Sequence, residues 1–539
     1  QHKRINKIRS FGKFKTVSKI IKKFITTFAD KYLVERMIRK IARAILTSYY
    51  KPVEKFLEDP IGTQQKNLEL LLEHGRHTLF GYEKKFDSIG NAEDYAARLP
   101  VMSYEDLRPY LDKILVDKQQ NVLWDTPVKW FAMSSGTTQD KSKYIPVTEE
   151  SLQNCHYRCG YHMLALYAAH YPDTAFMLGK TLVLGGSQQI NRIGGDTFTG
   201  DISAILMKNV PFWAKRARTP ESIALLSDWE EKLEKLTEYA VNADIRAFVG
   251  VPSWTMVLLK KIVAETGKPL TELWPNLEVF FHGGVSFIPF QEQYEQLIPS
   301  PDMHYWETYN ASEGFFGVQY SPESKEMLLL LDNEIYYEFI PKSEWGEDRP
   351  EAVPLEGVQT GCPYAMVIST SGGLWRYQIG DTVEFTSTHP YLFKITGRTK
   401  QFINAFGEEL IVENADRALD HACQRTHAKI VEYTVAPVYF DSRHNGAHEW
   451  LIEFENQPSD MDLFVELLDE NLKKLNSDYE AKRSYNLSLG KPVVKPLQPD
   501  TFYNWMKQRD KAGGQNKVPK LSNDRKYVES ILAFVSSNS

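Results

Sequence analysis

The positions of apolar residues along the chain predict helices near the N-terminus and alternating strands and helices after about residue 120. In residues 1–50 the apolar side chains recur at the three- and four-residue spacing of an amphipathic helix, so we interpret this segment as one or two such helices. Residues 62–80 predict a further helix that ends at Gly81. After residue 120 short apolar strands and helices alternate through glycine turns, which is typical of a layered α/β domain.

The strands crowd together over about 315–396, and this stretch predicts a β-rich subdomain with few helices. The pattern beyond it predicts a smaller α+β segment with a helix from Glu413, two strands, a helix from Met461 and a basic tail. We therefore expect an α/β protein with a large N-terminal layered domain over 51–396 and a small, mobile C-terminal α+β domain over 397–539.

Length and composition exclude several classes of protein. A chain of 539 residues exceeds what one ordinary core holds, and 42% hydrophobic with 25% charged residues is the composition of a globular protein rather than a disordered or fibrous one. Lys and Arg number 64 against 70 Asp and Glu, a net charge of −6 that argues against a nucleic-acid partner. Four scattered cysteines do not suggest a disulfide framework, so we expect a cytoplasmic protein.

Positive charge is concentrated at the N-terminal end of the chain. Residues 1–50 contain 14 Lys or Arg against two acids, Asp30 and Glu35. One interpretation is a helix packed on the body of the protein with a solvated basic face. The other is a segment that contacts an anionic membrane surface or an acidic partner. The sequence favours the first.

A hydroxyl-rich loop is the strongest candidate for chemistry. It follows an apolar strand and contains Ser134, Ser135, Gly136, Thr137 and Thr138. Backbone N–H groups and hydroxyls in such a loop can converge on phosphate oxygens, and Lys143 adds a positive charge at its rim. The loop lacks the Walker pattern, so this would be a different kind of phosphate site.

Two further motifs follow predicted strands. Gly283 and Gly284 permit a close backbone approach to a flat ligand, although a tight turn explains them equally well. Tyr309 can stack on a base and Glu313 can offer an oxygen to Mg²⁺, with Ser312 between them. An aromatic core strand ending in a turn is the alternative interpretation for this segment.

Three later residues complete the candidate set. Asp381, after a glycine turn at a strand end, can accept hydrogen bonds from vicinal hydroxyls such as those of a ribose. Arg398 can hold a phosphate or ribose oxygen. Lys517 lies in a late glycine-rich segment and could bring a cation to a site elsewhere, a role that Lys520 could also fill. Each has an ordinary alternative as a turn or surface residue.

The order of these motifs carries more information than any one of them. Together they resemble the adenylate-forming superfamily and, in detail, the Gretchen Hagen family of acyl-acid amido synthetases. The resemblance covers roughly residues 60–525 and rests on Arg76–Gly81, Ser134–Pro146, Tyr309–Glu313 and Leu374–Asp381. The chain departs from the family at Asp140, where a glycine is usual, and after Lys517, where Val518-Pro519-Lys520 replaces Pro-Arg.

The resemblance implies an ATP-dependent ligase that adenylates a carboxylic acid and passes the acyl group to an amine, for which it would use ATP and Mg²⁺. It implies nucleotide-binding roles for Ser134, Ser135, Gly136, Thr137, Thr138, Gly283, Gly284, Tyr309, Ser312, Asp381 and Arg398. It implies catalytic roles for Lys143, Glu313 and Lys517, with Glu313 as the metal ligand, and a hinge over 397–400 at Lys400. A thioester-forming ligase and a non-catalytic nucleotide-binding module at a membrane surface are the alternatives.

Overall fold

The computed structural model describes residues 31–135, 142–184, 190–210, 212–226, 228–285, 287–288, 290–399, 402–439, 446–483, 489–508 and 519–538. Several predicted site residues lie outside these ranges, namely Gly136, Thr137, Thr138, Lys400 and Lys517.

The α-helices follow the apolar periodicity of the chain. Their bounds are α1 Lys31–Glu58, α2 Pro60–Gly75, α3 Leu79–Glu83, α4 Ala92–Arg98, α5 Tyr104–Leu115, α6 Arg158–His170, α7 Ile202–Asn209, α8 Phe212–Lys215, α9 Glu221–Ala224, α10 Trp229–Val241, α11 Pro252–Thr266, α12 Leu270–Leu273, α13 Gln291–Leu297, α14 Val412–Thr426, α15 Met461–Leu475, α16 Ser477–Arg483, α17 Thr501–Gln508 and α18 Lys526–Asn538. A π-helical turn over Ser151–Tyr157 leads into α6.

The strands are short and mostly apolar. Their bounds are β1 Trp130–Ser135, β2 Ser142–Val147, β3 Lys180–Val183, β4 Asn191–Gly194, β5 Thr197–Gly200, β6 Ile245–Gly250, β7 Val279–Gly283, β8 His304–Ala311, β9 Gly314–Gln319, β10 Met327–Leu329, β11 Ile335–Pro341, β12 Val353–Pro354, β13 Pro363–Thr370, β14 Tyr377–Thr388, β15 Tyr391–Arg398, β16 Phe402–Ile403, β17 Leu410–Ile411, β18 Lys429–Val438, β19 Ala447–Asn456 and β20 Val493–Leu497.

One large mixed sheet organises the N-terminal part of the molecule. Within the described ranges it has 11 strands in the order β12-β11-β13-β14-β15-β10-β9-β8-β7-β6-β3. The strands β3, β6, β7 and β8 are parallel, and the rest of the sheet is antiparallel. The strands predicted as a β-rich subdomain therefore continue the sheet of the α/β layer, because β9 pairs directly with β8. The predicted α/β fold class is confirmed.

A smaller sheet of β18, β19 and β20 forms the C-terminal part with helices α14–α18. The stretch after the helix from Met461, which the sequence predicted as a basic tail, contains β20, α17 and α18. Their apolar side chains pack in one cluster that includes Phe502, Trp505, Val528 and Ile531. Burial of these large side chains outweighs the surrounding charged residues and gives the stretch its structure.

The helix predicted over 62–80 is divided in two. It ends at Gly75, where a Cβ atom would lie 2.6 Å from the Trp375 ring, and the chain turns before α3. Thr78 starts α3 as its N-cap, since its hydroxyl accepts from the backbone N–H of Gly81 at 2.9 Å. Packing against Trp375 and this cap decide the break, and neither is visible in the local apolar pattern.

Helix α1 packs on the body of the protein through its apolar face. Leu46, Val53 and Phe56 are buried, and Tyr49 stacks on Tyr161 of α6 with ring centroids 4.5 Å apart. The helix continues to Glu58, past the end of the segment at residue 50 that the charge pattern suggests. In the described part of α1, the apolar face therefore packs on the body of the protein and the basic face is exposed to solvent. Among the described residues, no helix has the length and apolar character needed to cross a membrane.

Candidate functional site

The site forms where strands of the large sheet end. The parallel strands β6, β7 and β8 present their carboxyl ends at one edge of the sheet, which is the usual position of ligand sites in α/β proteins. Gly283 ends β7 opposite Thr308 of β8, and a Cβ atom at Gly283 would lie 2.3 Å from the Thr308 carbonyl oxygen. Gly284 follows with φ +83°, in the left-handed region that favours glycine. Both glycines are therefore required by the backbone itself.

The two serines of the hydroxyl-rich segment lie at the end of β1. Strand β1 pairs with β2 in antiparallel register, so that Ser134 lies opposite Lys143 and Ser135 opposite Ser142. This pairing places Lys143 beside the two serines. Burial lowers the pKa of the Lys143 ammonium, and the carboxylate of Glu313 opposes that shift.

Glu313 lies at the tip of a second hairpin. Strands β8 and β9 pair up to Ala311 and Gly314, which leaves Ser312 and Glu313 as the two turn residues. Burial raises the pKa of the Glu313 carboxyl, and the Lys143 ammonium counteracts this effect. A lysine of β2 and a glutamate of the β8–β9 turn thus interact electrostatically.

Asp381 and Arg398 form an ion pair between neighbouring strands. They lie opposite each other in the register of β14 and β15, and Nε of Arg398 donates to Oδ1 of Asp381 at 2.7 Å. Both side chains are 18% exposed. Burial by itself would lower the pKa of Arg398, but the carboxylates of Glu409 and Asp381 raise it above its usual value. The guanidinium therefore stays charged at this edge of the sheet.

Tyr309 connects β8 to this ion pair. Its hydroxyl donates to Oδ2 of Asp381 at 2.5 Å, although β9, β10 and β15 lie between the two strands in the sheet. The sheet is therefore strongly curved here. The tyrosine is only 7% exposed, with Phe316 and Phe393 at ring-centroid distances of 5.0 and 6.1 Å. In this arrangement it orients Asp381 and offers little ring surface for stacking on a base.

No role for Glu409 was inferred from the sequence. Nη1 of Arg398 donates to Oε2 of Glu409 at 3.2 Å, which brings a C-terminal carboxylate to the ion pair of β14 and β15. Electrostatic interactions also connect Glu409 to Lys143 and Glu313. Two adjacent acids after Gly407, in an otherwise apolar stretch, were the available signal.

The C-terminal part also contacts the glycine turn at Gly284 and strand β1. Nδ2 of Asn404 donates to the carbonyl oxygen of Gly284 at 3.1 Å. Helix α16 packs against β1, and its Lys482 ammonium lies 3.8 Å from the centroid of the Trp254 ring. These contacts were not predicted, because they join residues more than 100 positions apart.

Arg376 lies within the motif that ends at Asp381, but it is a structural residue. Its Nε and Nη2 donate to the two oxygens of Glu338 at 2.9 Å, and both side chains are 5% exposed or less. Its Nη1 donates to the carbonyl oxygens of Ala96, within α4, and Leu99, just after it. The motif therefore combines one residue that anchors the sheet with another, Asp381, that faces the site.

A second carboxyl on β8 predicts a measurable pH dependence. Burial raises the pKa of Glu307 to about 7 from 4.5, so the folded protein disfavours its ionised form. Below pH 4.5 the carboxyl is protonated in both the folded and the unfolded chain, and its contribution to stability is fully present. As the pH rises from 4.5 through about 7, the unfolded chain ionises first and this contribution is lost. We expect Glu307→Gln to raise the melting temperature at about pH 8 and to leave it unchanged at about pH 4. Equal shifts at both pH values would contradict this.

Among the described residues no group of three or more His, Cys, Asp or Glu forms a cage for a metal ion. Glu313 is one carboxylate at the edge of a cluster, with Lys143 opposite. Mg²⁺ usually takes one or two carboxylates and completes its shell with water and substrate phosphates. The donors present therefore fit a metal that arrives with a phosphate substrate and do not fit an all-protein site.

Comparison with known proteins gives relatives of similar length. Indole-3-acetic acid-amido synthetase GH3.4 of Arabidopsis thaliana is 23% identical over 87% of this chain and 90% of its own. Indole-3-acetic acid-amido synthetase GH3.8 of Oryza sativa subsp. indica is 24% identical over 84% and 86%. The structure of the AtGH3.15 acyl acid amido synthetase in complex with 2,4-DB aligns with a TM-score of 0.57 at 19% identity, over 91% and 97%. A 2-hydroxyisobutyryl-CoA ligase with 2-HIB-AMP and CoA aligns at 0.54 and 14%, over 88% and 91%.

Three family domains match in chain order. The GH3 family N-terminal domain matches residues 49–303, the central domain 328–398 and the C-terminal domain 413–526. The resemblance inferred from the separated motifs is thereby confirmed. This chain belongs to the GH3 family of adenylate-forming ligases.

Proposed function

We propose that this protein adenylates a carboxylic acid with ATP and transfers the acyl group to the amine of an amino acid, to form an amide. The observation that carries the proposal is the convergence of Lys143, Glu313, Asp381 and Arg398 at one edge of the large sheet. The relatives that align over most of the chain are amido synthetases, which supports an amine as the acceptor.

The charges of this cluster suit the first half-reaction. Adenylation requires a carboxylate to attack the α-phosphorus of ATP, so two anions must meet and cations must screen them. The buried ammonium of Lys143 would lie beside the phosphates held by the β1–β2 turn. Because this ammonium is partly desolvated, its interaction with phosphate is stronger than that of a surface lysine.

Asp381 and Arg398 would hold the ribose. Their ion pair fixes the position of the carboxylate before a ligand arrives, and the Tyr309 hydroxyl fixes its second oxygen. Vicinal ribose hydroxyls can donate to such a preorganised acceptor without reorganising it.

Glu313 would hold Mg²⁺ when ATP binds. The metal neutralises charge on the triphosphate and on the departing pyrophosphate. The raised pKa of the Glu313 carboxyl reflects a buried anion, and a bound cation would compensate the desolvation penalty of that anion. Lys143 compensates part of it already.

ATP–pyrophosphate exchange tests the first half of the proposal. Purified protein is incubated with ATP, Mg²⁺, labelled pyrophosphate and one carboxylic acid at a time, from a panel of aromatic, aliphatic and hydroxy acids. Exchange that requires one of these acids is expected. If no acid in a broad panel supports exchange above the acid-free control, adenylation is refuted.

An acceptor screen tests the second half. The acid that gives exchange is supplied with ATP and either amino acids or coenzyme A, and the products are separated by mass. Amide products are expected. A thioester product without any amide would instead support the alternative ligase, in which a thiol attacks the same adenylate.

The tail lysine gives a further prediction for this half-reaction. We expect Lys517→Ala to slow pyrophosphate exchange far more than it weakens ATP binding, because a cation brought in by the tail would act on the transition state. Lys520 serves as the matched comparison, since its ammonium is 2.9 Å from Oδ1 of Asp416 and 4.7 Å from the Tyr433 ring centroid. Normal exchange in Lys517→Ala with slow exchange in Lys520→Ala would assign the role to Lys520.

A further inference from the structure

Glu409 is the one acid of the C-terminal part that the described contacts bring to Arg398. Resting on the function proposed above, we infer that Glu409 is a catalytic residue of the acyl-transfer step: it receives the ammonium group of the acceptor and takes the proton that must leave before the nitrogen can attack.

The backbone at Glu409 is held in an unfavourable conformation. Its φ is +38°, in the left-handed region that residues other than glycine rarely adopt. Nδ2 of Asn476 donates to the Glu409 carbonyl oxygen at 3.1 Å, and the Glu409 N–H donates to Oδ1 of Asn404 at 3.4 Å. Strain that the surroundings maintain in this way is common at functional sites.

The neighbouring Glu408 anchors the loop from inside. It is fully buried and accepts hydrogen bonds from the backbone N–H groups of Ala405 and Phe406 at 3.1 and 2.6 Å. Oε1 of Glu408 also lies 2.8 Å from Nε2 of His448, which is 1% exposed. With one acid fixed inside the C-terminal part, its neighbour Glu409 is directed towards Arg398.

The charges around Glu409 favour an ammonium. Among the described residues, the carboxylates of Glu313, Asp381 and Glu409 interact with the cations of Lys143 and Arg398. Lys482 also interacts with Glu409, but the carboxylates of Asp478, Asp201 and Glu408 act on the same ammonium. A further carboxylate beside Lys143 repels a triphosphate and attracts a cationic acceptor. The present arrangement of the two parts therefore suits the step that follows departure of pyrophosphate.

Acyl transfer removes two protons from the acceptor nitrogen and releases AMP. The acceptor ammonium gives one proton to the Glu409 carboxylate, and the freed lone pair forms a bond to the acyl carbon. The bond between that carbon and the phosphate oxygen breaks, and AMP leaves with the electron pair. The second nitrogen proton passes to the departing phosphate or to water, and Glu409 later returns its proton to solvent.

Two acceptors distinguish this role from a structural one. Hydroxylamine is already neutral at pH 7 and needs no base, whereas amino acids arrive as ammonium ions. We expect Glu409→Gln to lower amide formation from a mixture of the standard amino acids about 10²-fold or more, the usual range for loss of a catalytic base. Hydroxamate formation from hydroxylamine is expected to fall by less than about threefold with the same adenylated acid.

Glu413→Gln is the matched control, since it changes a nearby acid in the first turn of α14. It should leave both products at wild-type levels. Equal losses of amide and hydroxamate in Glu409→Gln would show a structural role, and no loss of either would also overturn the inference. A failure of the proposed function looks different, because the wild-type protein would then show no acid-dependent pyrophosphate exchange.

Discussion

Glu313→Gln is expected to slow acid-dependent pyrophosphate exchange about 10²–10³-fold. The amide of glutamine has nearly the same shape as the carboxylate but lacks the charge that would hold Mg²⁺ and balance Lys143. The variant also leaves the Lys143 ammonium, whose pKa burial lowers, without its main electrostatic partner. The loss should appear mainly in the maximal exchange rate and only partly in the concentration of ATP required.

Glu307→Gln is the control for this experiment. Glu307 lies on the strand that leads to Glu313 and is also a buried carboxyl, but Lys325 is its only charged partner among the electrostatic contributions described. Its exchange rate should stay within about twofold of wild type, as expected for a residue outside the reacting centre. If both variants lose exchange equally, the effect is one of local structure, and the assignment of Glu313 as metal ligand is wrong.

Arg376→Met is expected to destabilise the N-terminal part by about 3–5 kcal/mol, the usual effect of removing one partner of a buried ion pair. The variant leaves the Glu338 carboxylate, which is 3% exposed, without its bidentate donor. It also removes the donor to the carbonyl oxygens of Ala96 and Leu99. Urea titration followed by fluorescence and circular dichroism measures the shift of the midpoint.

The double variant Arg376→Met with Glu338→Met shows how much of the lost stability comes from leaving the Glu338 carboxylate unpaired. Because replacing both partners by apolar side chains of similar volume is often close to neutral, it should recover more than half of the lost stability. Lys208→Met serves as the surface control, since Lys208 is 51% exposed in its pair with Glu221 and should change stability by less than about 0.5 kcal/mol. Additive losses in the double variant would contradict a coupled buried pair.

These two predictions assign different roles to residues within the adenylation motifs. Arg376 and Asp381 belong to one continuous motif, yet Arg376 is paired with Glu338 of β11 and Asp381 with Arg398 of β15. Tyr309 similarly resembles a base-stacking residue in sequence, while its hydroxyl and burial make it a support for Asp381 here. Variants of this motif should therefore be measured separately for stability to unfolding and for the rate of pyrophosphate exchange.

The family and the order of the site motifs along the chain could be identified from the amino-acid sequence alone. Alternation of apolar strands with helices predicted the α/β class, and turn residues such as Gly283 and Gly284 marked the ends of strands. These features are local, because strand period, glycine turns and hydroxyl loops are properties of a few consecutive residues. The motifs could therefore be identified without knowing which of them meet.

Which residues lie together in the site, and which ones support them, became apparent from the folded arrangement. The curvature that brings Tyr309 to Asp381, the contact of Glu409 with Arg398 and the position of Lys482 over Trp254 all join distant parts of the chain. Sheet curvature and domain packing arise from the summed burial of many side chains, so no short stretch of sequence encodes them. The separation of a helix at Gly75 and the folding of the C-terminal stretch have the same origin.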